Sequence, residues 1–484
     1  MAASAMTYPQ GLFINNEYRT AASSTKLTLR NPWDDSVIAA DVQVAGKEDV
    51  DLAVEEATKA FKGPWRKYTG QQRAGCLLKF ADLVEKHADR LSQLESLPTG
   101  RPISFVTHFD VPHMAQVYRY YAGWADKIAG KTFSEENGTY KIIRQEPVGI
   151  CAGIASWNCT FLYVAWKMAP ALAAGCTFIF KSSEKSPFGA LALGSLYAEA
   201  GFPPGVVQFV TGGSETGAML ASHMNIAKIS FTGSVAGGRA VQDLATKSNL
   251  KRVTLELGGK SAAIIFKDAP LEVAAQGVGV GFLANSGQIC VAASRVLVQE
   301  DIAEDFCQKI KAHFEVSGAA MGADPALPTT AHGPVVDKLQ FDRIMSYIEK
   351  GKTSAKLLTG GSRIGERGCF VEPTIFVDPE PGSAVYEEEI FGPVLVVKTF
   401  KTEEEAIQLA NGTIYGLAAN VYTTDLNQAL RVTSALEGGI ISVNSPLHPE
   451  IQAPFGGVKQ SGYGRELGEE GLKAYLETKS IHIK

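Results

Sequence analysis

Cys290 stands in the stretch Leu283-Ala-Asn-Ser-Gly-Gln-Ile-Cys-Val-Ala-Ala-Ser-Arg295, and Glu256 stands 34 positions earlier in Leu255-Glu-Leu-Gly-Gly-Lys260. A thiol supplies a nucleophile. A carboxylate between Leu255 and Leu257 has its pKa raised by burial toward the range of a general base. Together they supply what oxidative acyl chemistry needs: a group that attacks a carbonyl and a group that activates water. Asn285-Ser-Gly-Gln, just ahead of the thiol, is poor core and good pocket lining, and the Cys290 backbone N–H can help hold an oxyanion. Two plainer readings stand beside this one. A lone cysteine is most often a small buried hydrophobe, and a glutamate inside an apolar strand is often half of an ion pair with Lys or Arg.

Two further segments have the chemistry of a nucleotide site. Phe231-Thr-Gly-Ser-Val-Ala-Gly-Gly238 follows a strand-like run and opens a helix-like one, where backbone N–H groups and the helix dipole receive a phosphate. It is not G-x-G-x-x-G, and a tight turn with Ser234 as helix cap explains it equally well. Lys181-Ser-Ser-Glu184 closes a strand with a cation and a carboxylate, suited to ribose hydroxyls or to a surface turn.

The elements that must position these residues are legible from periodicity. Residues 47 to 96 read as helix, with Val50, Ala53, Ala57 and Phe61 at helical spacing and Leu77, Phe80, Ala81 and Val84 repeating it after Thr69-Gly70. From 148 onward short β-branched runs (148–154, 177–180, 206–210, 229–231, 253–255) alternate with amphipathic segments near 161–174, 188–200, 214–222 and 237–246. That alternation predicts a doubly wound parallel sheet. A second set follows Gly258-Gly259: strand 262–266, helix 270–284, strand 296–299, helix 302–314, and strands near 394–400, 417–422 and 439–443. The glycine pair marks a boundary that leaves Glu256 before it and Cys290 after it, so the site is expected in an interdomain cleft. Residues 138–146 and 475–484 look like strands outside both sets, which pair with each other or with another subunit.

Composition bounds the alternatives. A chain of 484 residues, 45% hydrophobic and 20% charged, holds two or three structural units. Its net charge of −5, with dispersed Lys and Arg, gives no reason to expect nucleic acid. Glu387-Glu-Glu389 and Glu403-Glu-Glu405 are read as solvated faces or helix starts. Seven scattered cysteines with no C-x-x-C and no zinc spacing are the thiol usage of a reducing compartment, and no metal site is expected. The N-terminus has no secretory pattern and no apolar run reaches membrane length, so a cytoplasmic protein is expected. Three glycosylation sequons are read as chance.

The ordered motifs resemble the aldehyde dehydrogenase superfamily along essentially the whole chain. They are Ser156-Trp-Asn158, Trp166-Lys-Met-Ala-Pro-Ala-Leu-Ala-Ala-Gly175, Lys181-x-Ser-Glu184, Gly201-Phe-Pro-Pro-Gly205, Phe231-Thr-Gly-Ser234, Glu256-Leu-Gly-Gly-Lys260, Gly287-Gln-x-Cys290, Glu388-Glu-Ile-Phe-Gly-Pro393 and Pro454-Phe-Gly-Gly-Val-Lys-Gln-Ser-Gly462. The resemblance implies an α/β fold with a Rossmann-like cofactor domain (1–126 and 147–258), an α/β catalytic domain (259–455) and a small β extension (127–146 and 471–484) that builds homodimers or homotetramers. It implies oxidation of a small-molecule aldehyde to the acid. Cys290 becomes the nucleophile that forms a thiohemiacetal and then a thioester, Asn158 the oxyanion amide, Glu256 the base for hydrolysis, and Lys167 a proton-relay residue or a contact in the nicotinamide ribose region. Ser156, Trp157, Lys181, Ser183, Glu184, Phe231, Gly233, Ser234, Leu257, Glu389 and Phe391 are implied to contact the cofactor. The Glu184 carboxylate accepts ribose hydroxyls and repels a 2′-phosphate, tilting the choice to NAD while leaving NADP open.

Departures from the family pattern fall on the substrate side, where Cys159, Tyr163, Trp166, Ile289, Val291, His448 and Phe455 are the implied contacts. The family commonly has Pro, Phe and Pro at positions 156, 159 and 160, and Pro at 182. Loss of a ring at Cys159 is expected to widen or repolarise the tunnel, and a protective Cys159–Cys290 disulfide is a subsidiary expectation. Two alternatives are the same fold acting as an esterase or acyltransferase, and a non-catalytic binding protein. Glu256 argues against transfer to coenzyme A, where a water-activating base is unwanted.

Overall fold

The structure is a computed structural model describing residues 8, 9, 11–446 and 448–484. Leu447 of the variable substrate loop and the first seven residues lie outside them.

Five parallel strands form the centre of an eight-stranded sheet in the order Arg252–Glu256, Lys228–Thr232, Ile150–Ile154, Thr177–Lys181, Val207–Val210. Each expected strand is present, with ends displaced by a residue or two. Side chains alternate between two cores: Cys151, Phe178, Phe180 and Phe209 enter one, while Ala152, Ile154, Ile179 and Val210 enter the other. That is the period of a strand buried on both faces. The first core is closed by the helix Thr160–Ala174, all of whose residues are buried. The second is closed by Lys47–Lys62, which buries Val50, Ala53, Val54 and Ala57.

Strand order fixes where a ligand can sit. From Ile150–Ile154 the chain winds outward to Val207–Val210, then returns to Lys228–Thr232 on the other side. The direction therefore reverses between the carboxyl ends at Ile154 and Thr232, the crevice in which doubly wound sheets bind ligands.

The chain passes to a second, seven-stranded sheet between Glu256 and Ala262. Its order is Lys356–Thr359, Thr374–Val377, Val394–Phe400, Arg295–Gln299, Ala262–Ile265, Ala418–Tyr422, Ile440–Val443, parallel except at the first pair. The outlying strands pair with each other: Leu476–Ile483 runs antiparallel to Thr139–Pro147, which pairs with Lys131–Glu136.

Three features depart from the periodicity reading. Leu12–Ile14 and Glu17–Arg19 extend the first sheet beyond Val207–Val210. Gly462–Tyr463, a strand too short to show a pattern, pairs antiparallel with Leu255 and Glu256. The helix Lys338–Ser354 packs Phe341, Ile344, Tyr347 and Ile348 into a core of its own.

Candidate active site

The loop that presents Cys290 is held from three sides. Asn285, Ser286 and Gly287 all have left-handed backbone (φ 50°, 54° and 74°). A Cβ on Gly287 would lie 2.3 Å from the Gly392 carbonyl, so glycine is required there by close approach as well as by φ. Gln288 is fully buried. Its Nε2 donates to the Asn285 carbonyl (2.9 Å) and its Oε1 accepts the Val336 N–H (2.9 Å). Cys290 itself is half-buried. Burial raises its thiol pKa, reinforced by Cys159, Glu389 and Glu256, while its own backbone N–H opposes the rise.

Asn158 lies at the start of the Thr160–Ala174 helix with its amide fixed. Oδ1 accepts from Ser156 Oγ (2.7 Å) and Tyr163 Oη (3.0 Å), and Nδ2 donates one hydrogen to the Gln288 carbonyl (3.0 Å). Two hydroxyl donors on Oδ1 determine which amide atom is nitrogen. The second Nδ2 hydrogen remains as a donor beside the thiol.

Glu256 ends its strand buried, and neither carboxylate oxygen has a hydrogen-bond partner. It makes no ion pair, so the structural reading left open for it is not what the fold contains. Burial raises its pKa well above the ordinary carboxyl range, Glu466 adds to the rise, and Lys167 and Arg465 oppose it.

Lys167 corrects one expectation. Its fully buried ammonium donates to Ser230 Oγ (3.1 Å), Thr232 Oγ1 (2.7 Å) and Glu466 Oε1 (2.5 Å), so it is committed behind the sheet end and not presented to a ribose. Glu466, which periodicity did not single out, pairs with this cation, and its charge adds to the rise at Glu256.

A cavity of about 290 Å³ joins these groups. Ser156, Trp157, Gly233, Ser234 and Leu257 line it from the first sheet, and Glu389, Phe391, Gln340 and Arg343 from the second, with Asn158, Tyr163, Glu256 and Cys290 also at its surface. Ser234 caps the helix Val235–Lys247 by accepting the Gly237 N–H (3.1 Å). Phe231 packs its ring against Gly233 and Gly237, where added Cβ atoms would come within 2.7 and 2.8 Å of it. Glu389 Oε1 accepts the Gly259 N–H (2.9 Å) and burial pushes its pKa up to about 7. Glu389 is thus part of the pocket wall, unlike the solvated face read from its acidic run. Phe391 meets Trp157 edge-on at 5.5 Å. Gln340 Nε2 donates to the Phe391 carbonyl (2.8 Å) and Arg343 Nη2 to the Glu389 carbonyl (2.9 Å), which steadies the segment. Lys181 ends its strand nearly buried, donating only to the Ser182 carbonyl (3.1 Å). Burial lowers its pKa to about 8 against the pull of Glu184. Ser183 donates to Glu184 (3.4 Å).

On the other side of the thiol, Cys159, Tyr163, Trp166, Val291 and Phe455 belong to one apolar cluster, with Ile289 and Cys290 packed against it. Cys159 does not simply leave space: its thiol stands by the buried Arg101–Asp110 ion pair (2.7 Å), and burial pushes its pKa up to about 12. Both thiols are free. His448 is exposed, with no hydrogen-bond partner among the described residues, and is not drawn into this cluster. Sequence reasoning missed Gln340, Arg343 and Glu466. Among the described residues no group of three or more His, Cys, Asp or Glu is arranged to hold a metal, and no helix is long and apolar enough to cross a membrane.

A thiol, a fixed amide and a buried carboxylate thus meet in one cavity at the switch point of a doubly wound sheet. Residues 18–481 match the model of the aldehyde dehydrogenase family, and the chain belongs to that family. It is 47% identical over 478 residues to an aldehyde dehydrogenase of Alternaria alternata, covering 98% of this chain and 95% of that one. It is 43% identical over 477 residues to human retinal dehydrogenase 2, covering 98% and 91%. Among solved structures, a cysteine-to-alanine mutant of Pseudomonas syringae AldA indole-3-acetaldehyde dehydrogenase, in complex with NAD+ and IAA, superposes with a TM-score of 0.96 at 37% identity over 99% and 97% of the two chains.

Proposed function

We propose that this chain oxidises a small aldehyde to its carboxylic acid through a covalent acyl intermediate on Cys290, with NAD as the oxidant. The observation that carries the reading is the pairing of the Cys290 thiol with a buried, unpartnered Glu256 across one cavity that also holds the fixed Asn158 amide.

The cavity suits a dinucleotide. It opens at the switch point, Ser234 at its wall caps the start of a helix, and Glu389 leaves Oε2 without a hydrogen-bond partner among the described residues, while Lys181, outside the lining, holds a nearly buried ammonium at the end of its strand. Lys181, Ser183 and Glu184 would hold the adenosine ribose, Ser234 the pyrophosphate, and Glu389 and Phe391 the nicotinamide riboside. When bound, that group supplies the hydride acceptor the chain lacks. Glu184 repels a second phosphate and so favours NAD over NADP.

Burial holds both Cys290 and Glu256 toward their protonated forms, so attack requires the ionised fraction of Glu256 to take the thiol's proton as the sulfur adds. The sulfur adds to the carbonyl, and the oxygen is held by Asn158 Nδ2 and the Cys290 N–H. Once the adduct has been oxidised to a thioester, Glu256 takes a proton from water, whose attack frees the acid and restores the thiol. Lys167 and Glu466 lie behind Glu256 as the route by which its proton leaves.

We further place residues 1–126 and 147–258 in the cofactor unit and 259–455 in the catalytic unit. The exposed three-stranded sheet formed by 127–146 and 471–484 is assigned to homodimer or homotetramer contact, and the free thiols to a cytoplasmic setting. The test is direct: purified protein with NAD and a panel of aldehydes, followed by absorbance of the reduced nicotinamide. Turnover abolished by Cys290→Ala supports the reading; no signal across the panel sinks it.

A further inference from the structure

One buried imidazole beside the substrate-side cluster has no part in the steps above. His113, on the helix Val111–Ala122, is 7% exposed. Its Nε2 accepts the indole N–H of Trp166 at 2.9 Å. An imidazole that accepts at Nε2 is neutral and bears its single proton on Nδ1. Burial pushes its pKa down to about 4, so no charge develops on it near neutral pH. Nδ1 has no hydrogen-bond partner among the described residues, yet it is not one of the fully enclosed unpartnered atoms. The donor therefore keeps an opening.

The surroundings are aromatic. Phe109 stacks on the imidazole at 5.7 Å and 25°, and Trp166 meets it at 5.9 Å. Trp166 packs on Phe455 at 4.7 Å and on Tyr163 at 6.2 Å. Tyr163 donates to Asn158. A chain of contacts thus leads from the Asn158 amide through Tyr163 and Trp166 to the imidazole.

We propose that His113 is a specificity-determining residue whose Nδ1–H donates to an oxygen carried on the ring of an aromatic aldehyde, while Phe109, Trp166 and Phe455 hold the ring. The inference rests on the aldehyde-oxidation reading and adds the substrate class: neutral, planar and oxygen-bearing. An apolar tail strips water from the donor and leaves it unpaired, whereas a phenol, ether or carbonyl oxygen restores the bond. A neutral ring offers a carboxylate tail no counter-charge. Face contacts between rings suit a planar substrate better than a saturated one.

The test compares meta- and para-methoxybenzaldehyde with the ethyl analogues of similar shape, as kcat/KM at saturating NAD. The ratio of methoxy to ethyl is measured in the wild type, His113→Phe and His113→Leu, so that intrinsic ring electronics cancel and a folding failure of one variant leaves the other readable. For at least one isomer the wild-type ratio should exceed that of the variants by about 3- to 10-fold, the size of a net neutral hydrogen bond. His113→Gln, which keeps an N–H donor, should recover part of it. Propanal, which carries no ring, reports any general loss from freeing the Trp166 indole N–H, and this loss cancels in the methoxy-to-ethyl ratio. Equal methoxy-to-ethyl ratios in the wild type and both apolar variants overturn the proposal. Failure of the wild type to oxidise any aldehyde overturns the parent reading instead.

Discussion

The orientation of the Asn158 amide is the most exposed element of the proposed chemistry. Its Oδ1 is anchored by two hydroxyls, Ser156 Oγ at 2.7 Å and Tyr163 Oη at 3.0 Å, and its Nδ2 by the Gln288 carbonyl at 3.0 Å. Removing the amide in Asn158→Ala deletes an oxyanion donor, worth about 10²- to 10³-fold in kcat. Ser156→Ala and Tyr163→Phe each remove one neutral hydrogen bond to Oδ1, about 1 kcal/mol and so roughly 5-fold. Either single variant leaves the other hydroxyl to define the amide. With both gone only the Gln288 contact resists rotation, and a flipped amide would turn a carbonyl oxygen toward the oxyanion. The double variant should therefore lose more than the product of the singles, about 100-fold, approaching Asn158→Ala. The assay is kcat/KM for propanal at saturating NAD, with circular dichroism to confirm folding. A double variant no slower than the slower single would refute the claim that these hydroxyls set the amide.

Three further outcomes follow from the buried acids and the cofactor contacts. Glu389, raised to about 7, is a carboxylate only above that pH, so the KM for NAD should fall as pH rises through about 7, and Glu389→Gln should flatten the dependence. Glu95 is buried, and burial raises it from 4.5 to about 8 against the pull of Thr160 and Arg101, so the folded chain keeps a proton that the unfolded chain releases. Its stabilising contribution is complete below pH 4.5 and gone above about pH 8. Relative to the wild type, Glu95→Gln should therefore gain on the order of 3–5 kcal/mol between these limits in denaturant unfolding; a gap that does not change with pH contradicts this. Glu184→Ala should raise the NADP-to-NAD ratio of kcat/KM by about 10-fold by removing the charge that repels a 2′-phosphate; an unchanged ratio assigns selectivity elsewhere.

The central strands were legible because burial on both faces leaves short, largely apolar runs such as Ile150–Ile154 and Val207–Val210, and the intervening helices show their own period. Cys290 and Glu256 stood out beside glycine-marked segments, whereas Asn158 was legible only through the family resemblance. What stayed hidden depends on contacts across long stretches of chain. Glu466 sits in a glycine-rich segment and becomes a buried acid only by meeting Lys167, 299 positions earlier. Gln340 and Arg343 look like solvent-facing helix residues until the Glu388–Pro393 segment folds against them. His113 shows no signal locally, because its role is defined by the Trp166 indole 53 positions away. His448 stands in a loop that the fold leaves exposed.

The central claim is a covalent acyl group on Cys290 whose release needs Glu256. The most direct measurement is mass spectrometry of Glu256→Gln quenched in acid after mixing with NAD and propanal, with peptides mapped. The account predicts a mass increase of one propionyl group on the peptide containing Cys290, and none in Cys290→Ala. Acylation of another cysteine instead, or undiminished aldehyde oxidation by Cys290→Ala, would contradict it.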